Sequence, residues 1–145
     1  MAPTPSTTRR ILVGLDGSDE SEQALLWALE FAGQVGAAVE VLTGWQLPTS
    51  YGWAAVPDWD LEGQSRDMQD KVVRALSGDH PGVEVRRRVL RGHPALLLVE
   101  ESQNADLLVV GSRGHGEFAG MLLGSVSEHC VTHAKCPVLV IRGDT

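Results

Sequence analysis

Glycine, serine and arginine crowd into one stretch of this 145-residue chain: Gly111-Ser112-Arg113-Gly114, nine further residues, then Gly124-Ser125. The stretch leaves the end of an apolar run, Ala105 to Val110, and Ser125 opens a segment with helical spacing. Glycines at such a place let backbone N–H groups fold into a concave array that approaches an anion closely. A helix starting at Ser125 turns its positive end and its unpaired amides toward the same spot, and the Ser125 hydroxyl adds a donor. The Arg113 guanidinium suits a phosphate through its forked geometry. The chemistry on offer is polyphosphate binding. No Gly-Lys-Ser/Thr follows, so this is not a P-loop, and it stands far from the first strand–helix turn where a dinucleotide fingerprint would lie.

Other reactive residue types offer less. Asp16 ends the first apolar run; it reads either as a turn or capping residue or, facing the glycine-rich loop, as a ligand-binding acid. His129 and His133 lie four apart with Cys130 and Cys136 close by. That spacing suits zinc, but Pro137 and the missing second cluster argue against a closed site, and Cys130 reads as a small core residue. His115, inside the loop, either touches a phosphate or faces solvent. No paired carboxylates, Ser-His-Asp arrangement or catalytic lysine flanks the loop, so no general base for phosphoryl transfer is visible.

The elements that must carry the loop alternate. Ile11 to Leu15 reads as a buried strand ended by Asp16-Gly17-Ser18. The next helix has capping-box spacing at Asp19 and Glu22, a Leu25, Ala28, Leu29, Ala32 stripe, and stops at Gly33 and Gly36. Val39 to Trp45 is a second strand. Gln46 to Asp60, rich in Pro, Gly and Trp, is either a lid or an aromatic cover over the sheet edge. A polar helix from Leu61 to Leu76 turns Met68, Val72, Ala75 and Leu76 inward. Val83 to Leu90 alternates as an edge strand, with Glu84, Arg86 and Arg88 on its wet face. Pro94 opens a helix carrying Leu97, Leu98 and Glu101. Ala105 to Val110, the helix from Ser125 and the strand Val138 to Ile141 complete the chain. Five strands alternating with four helices predict an α/β domain with an open parallel sheet, covered by helices on both faces.

Composition narrows the class. Hydrophobic residues make up 43% of the chain, which excludes a disordered tail. One domain over 10–145 behind a disordered 1–9 leader is the expectation. No apolar run approaches the ~20 residues that span a bilayer, and residues 1–9 do not read as a secretory signal. A net charge of −7 fits a phosphate backbone poorly, so nucleic acid is not the expected partner. Arg86-Arg87-Arg88 reads as a solvated strand face. Two cysteines without a disulfide framework fit a reducing cytoplasm.

The whole constellation is more specific than its loop. G-x2-G-x9-G-S followed by Val126-Ser127 and closing on Ala134-Lys135-Cys136-Pro137-Val138-Leu139-Val140 resembles the ATP-binding type of the universal stress protein family. Ile11 to Ser18 and Ala105 to Gly111 resemble it equally, and the likeness runs from Arg10 to Arg142, the loop from Tyr51 to Trp59 excepted. The resemblance implies a five-stranded parallel sheet in the order 3-2-1-4-5, described as adenine nucleotide alpha hydrolase-like. It implies ATP as ligand, with or without Mg²⁺. Asp16 would contact the nucleotide, Gly14 and Leu15 would line the adenosine pocket, and Val41 to Thr43 would meet the adenine. Gly111, Ser112, Arg113 and Gly114 would wrap phosphates and ribose, with Gly124, Ser125 and Val126 at the helix start.

The implied role is a nucleotide-dependent stress-response or signalling module; the competing role is a slow ATPase or nucleotidyl enzyme of the same fold. Related ATP pyrophosphatases carry a Ser-Gly-Gly-x-Asp-Ser type loop after the first strand, which Leu15-Asp16-Gly17-Ser18-Asp19 lacks. Such proteins commonly pair the last strand with its copy. That matches Val138 to Ile141, an uncharged edge that needs a cover, and predicts a homodimer there. The sequence names no downstream protein partner.

Overall fold

A computed structural model describes residues 8–47, 58–114 and 123–143. Five parallel strands form one sheet: β1 (Arg10–Gly14), β2 (Ala38–Trp45), β3 (Val85–Arg91), β4 (Leu107–Gly111) and β5 (Val138–Ile141), in the order β3-β2-β1-β4-β5. Between them run α1 (Asp19–Val35), α2 (Asp58–Ser77), α3 (Pro94–Glu101) and α4 (Ser125–His133). A short 3₁₀ turn, Ser102–Asn104, leads from α3 towards β4. The order and parallel sense are those expected.

Two-sided burial explains why the strands read as continuous apolar runs. Ile11, Val13, Val39, Val41 and Val109 pack toward α1 and α2, while Leu12, Leu42, Leu108 and Val110 pack with Leu98 of α3 and Cys130 of α4. α1 presents Ala24, Leu25, Ala28, Leu29 and Ala32 to the first of these layers. Burying such side chains is worth about 1.5–3 kcal/mol for each large aliphatic one.

Several boundaries differ from the sequence reading. α1 is capped by Ser18, whose side chain accepts from the Ser21 amide, and not by an Asp19–Glu22 box. Gly33 lies within the helix; only Gly36 ends it, in the left-handed conformation (φ 74°), donating its N–H to Ala32 O. That conformation favours glycine. On α2, Ala75 is exposed, and Gln69 and Val73 are the buried positions. β3 begins at Val85, because Val83 still belongs to a turn and donates to His80 O.

The arginines of β3 are paired. Arg86 meets Glu84, Arg87 meets Asp70 of α2, and Arg88 bridges Glu101 and the buried Glu40. Arg88 is therefore half-buried on the α3 side and not part of a wet face, and Arg91 lies over the Trp45 ring. The leader through residue 7, most of the Gln46–Asp60 stretch and His115 lie outside the described residues. Asp58 to Asp60 form the first turn of α2.

Candidate functional site

β1 and β4 are central neighbours whose following helices lie on opposite faces of the sheet, so their carboxyl ends part at a crevice. An open cleft lies there, walled by the ends of these strands. Its described walls come from both sides of the switch: Gly14, Leu15 and Asp16 after β1, and Gly111, Arg113 and Gly114 after β4. Leu42 and Gly44 of β2 and Pro94 and Leu98 of α3 form an apolar side, and Val126 closes the α4 end.

Two contacts explain the glycines. A Cβ on Gly14 would stand 2.8 Å from Leu98 Cδ1, so the Leu98 side chain rests on the bare backbone of β1 and would have to shift to admit one. A Cβ on Gly114 would stand 2.5 Å from Asp16 Oδ2, so the loop after β4 passes directly over that carboxylate. Asp16 Oδ1 accepts from the Ser18 amide (2.9 Å) and hydroxyl (2.5 Å), which fixes the carboxylate in a turn. Both readings of Asp16 thus describe one residue: it holds the turn and faces the cleft.

The start of α4 is tied to the end of β4. Its N-cap is Gly124, which offers no side chain to the first-turn amides. Gly124 N donates to Ser112 O at 2.6 Å, and Ser127 Oγ donates to the same carbonyl at 2.7 Å. These bonds tie the helix start to the end of β4. Ser112 itself is buried, 3% exposed, and does not line the cleft. Its part is to anchor Gly124 and Ser127. Ser125 is exposed at the first helical position.

Val41 and Thr43 are corrected. Both point to the α1–α2 face, Val41 fully buried in that core and Thr43 hydrogen-bonded within it. Strand alternation gives the cleft to their neighbours Leu42 and Gly44 instead. Thr43 Oγ1 donates to Leu15 O (2.9 Å) and accepts from Gln69 Nε2 (3.0 Å), so it steadies the strand end next to Asp16. Sequence reasoning also missed Glu20, whose Oε2 accepts from Arg113 Nε at 3.1 Å. Nothing in the spacing joins residues 93 apart.

The histidine–cysteine group does not assemble. The His129 and His133 rings lie 4.5 Å apart between centroids, tilted by 46°, while Cys130 is buried. Burial, with Cys136 nearby, pushes the Cys130 thiol up to about 11; Cys136 is raised as well, by burial and by Asp106. Among the described residues no three His, Cys, Asp or Glu side chains gather into a metal site. No helix among them is long and apolar enough to cross a membrane.

Fold and cleft together define a doubly wound α/β domain with a crevice at its switch point. The family model for the universal stress protein family matches residues 7–142, and the chain belongs to that family. A universal stress protein of Mycolicibacterium smegmatis is 39% identical over 140 residues, covering 91% of this chain and 45% of the relative. One from Mycobacterium tuberculosis is 38% identical over 136 residues, covering 91% and 44%. The chain thus spans less than half the length of these curated relatives. Among solved structures, a universal stress protein in complex with cAMP superposes with a TM-score of 0.72 at 27% identity, over 94% of this chain and 98% of the other. One from Lactobacillus plantarum shares the fold at 0.78, with 21% identity over 95% and 100%.

Proposed function

We propose that this chain is an adenine-nucleotide-binding module of the universal stress protein family, with ATP as its ligand. In this reading it acts through nucleotide-dependent shape or partners and not as a dedicated phosphoryl-transfer enzyme. The observation that carries it is the meeting of Gly114 with Asp16 beside the uncapped start of α4. A backbone cradle, a helix N-terminus and a guanidinium around one crevice would suit such a ligand. The cAMP complex of a 27% identical relative supports an adenine nucleotide there.

The base would lie toward Leu42 and Gly44, and the phosphates toward Gly111 to Gly114, Gly124, Ser125 and Val126. The acids near the loop hold structural partners, Asp16 with Ser18 and Glu20 with Arg113, which suits binding better than catalysis. A homodimer through β5 and a reducing, cytoplasmic setting belong to the same proposal. They are supported by the half-buried apolar edge Val138–Ile141 and by two free cysteines.

Denaturing the purified protein and chromatographing the supernatant should release an adenine nucleotide, and calorimetry should show ATP binding. Turnover at the ~1–100 s⁻¹ of kinases would favour the enzyme reading instead. A folded chain that neither carries nor binds an adenine nucleotide would overturn the proposal.

A further inference from the structure

Glu20 stands in the first turn of α1, and its carboxylate reaches the loop after β4 to meet Arg113. The two side chains are largely buried, 17% and 21% exposed. Glycines make the room for this pair. A Cβ on Gly111 would lie 2.7 Å from Glu20 Cβ, and one on Gly143 would lie 2.9 Å from Glu20 Cγ. Arg113 is therefore held by a carboxylate at the mouth of the cleft before any ligand arrives.

The charge of the mouth follows. Among the described lining residues, only Asp16 and Arg113 carry formal charge. Arg113 is thus paired with Glu20 and shares the lining with the Asp16 carboxylate, and the start of α4 returns only about half a positive charge. A phosphate monoester brings about −1.5 to −2 at neutral pH, and a triphosphate roughly twice that. The electrostatic cost of entry rises with that charge, because Arg113 is already largely neutralised.

We infer that Glu20 is a selectivity residue: by neutralising Arg113 it disfavours a nucleoside triphosphate unless a divalent cation has cut the ligand's charge, while a monophosphate enters without one. The inference rests on the nucleotide-binding reading above. Mg²⁺ commonly arrives on the phosphates of its nucleotide, so the protein needs no complete metal site of its own.

The test is calorimetric titration of AMP and ATP at low ionic strength, each in EDTA and in excess Mg²⁺, on the parent, Glu20→Gln and Arg113→Gln. The parent should bind metal-free ATP about tenfold more weakly than Mg–ATP, with AMP nearly indifferent to the metal. Glu20→Gln keeps the side chain's size and an acceptor for Arg113, so the fold should stand. It should tighten metal-free ATP about tenfold and AMP by about twofold. Arg113→Gln should weaken ATP more than AMP. Equal affinity of the parent for metal-free ATP and Mg–ATP would overturn the inference, and so would an equal shift of AMP and ATP in Glu20→Gln. If a folded parent binds neither AMP nor Mg–ATP, the nucleotide reading falls with it.

Discussion

The carboxylate of Asp16 lies against the backbone of Gly114, so close that a methyl group at position 114 would stand 2.5 Å from Oδ2. One residue ends the first strand's turn and the other belongs to the loop after the fourth, 98 positions later. Their contact closes one wall of the cleft.

Gly114→Ala should therefore push the Asp16 carboxylate or the loop aside. We expect AMP and Mg–ATP affinity to fall at least about tenfold, with a stability loss near 1 kcal/mol, since the site is at the surface. Calorimetry beside thermal melting checks this; unchanged affinity would mean that the loop does not wrap the ligand.

Asp16 is tested by separating its two roles, with AMP as the probe. Asp16→Ala removes the acceptor for Ser18 N and Oγ and should cost about 1–2 kcal/mol in urea denaturation as well as affinity. Asp16→Asn keeps an oxygen in place, so it should retain most of the stability while AMP binding weakens. Loss of stability alone in both variants would reduce Asp16 to a turn residue.

Thr43→Val swaps a buried hydroxyl for a methyl of similar size. Leu15 O loses its hydroxyl donor and Gln69 Nε2 one of its acceptors, although Arg88 O at 2.9 Å remains. A cost of about 1–2 kcal/mol at unchanged m-value is expected, with Thr43→Ser recovering most of it.

Alkaline pH should destabilise the fold through Cys130. Its thiol is raised from 9.0 to about 11, so the folded state holds this proton more tightly than the unfolded state does. The resulting stability is fully present below about pH 9 and is lost as pH rises toward 11, by at most about 2–3 kcal/mol. Cys130→Ala should be less stable at neutral pH but show a flatter alkaline limb in urea melts at stepped pH. An equally steep limb would place the linkage elsewhere.

For the proposed dimer, Val140→Pro removes one amide from β5, which pairs with β4 along one edge. Sedimentation should show a parent dimer and a monomeric or aggregated variant. A parent that is monomeric at micromolar concentration would exclude pairing through β5.

The architecture was legible because strands buried on both faces are short apolar runs and helices carry a wider stripe, so the alternation from Ile11 to Ile141 could be read directly. The same double burial hid the face of β2. Val41, Leu42 and Thr43 are all buried, and nothing in VLT says which side holds the cleft. Asp16, Gly111, Arg113 and Gly114 line the cleft, and the sequence points to them because each stands where a strand end gives way to a glycine-containing turn. Glu20 was not, since an acidic residue in a first helical turn is already explained by the helix dipole. Thr43 was found for the wrong contact: its hydroxyl serves the carbonyl of Leu15.

At the end of the sheet away from the cleft, Arg10 reaches Glu40 at 2.9 Å, Glu40 lies 3.6 Å from Arg88, and Arg88 meets Glu101 at the close of α3. The Arg10 amide donates to Asp106 Oδ2 at 2.8 Å. This chain of charges stitches β3, β2 and β1, the approach to β4 and the tail of α3 together like the spine of a book. The opposite margin, where the strands run out near Gly14, Gly44 and Gly111, is joined instead by the Glu20–Arg113 pair and the hydrogen bonds of Thr43. The far end thus ties strand to strand, whereas the cleft end ties strand and loop ends to α1 and α2.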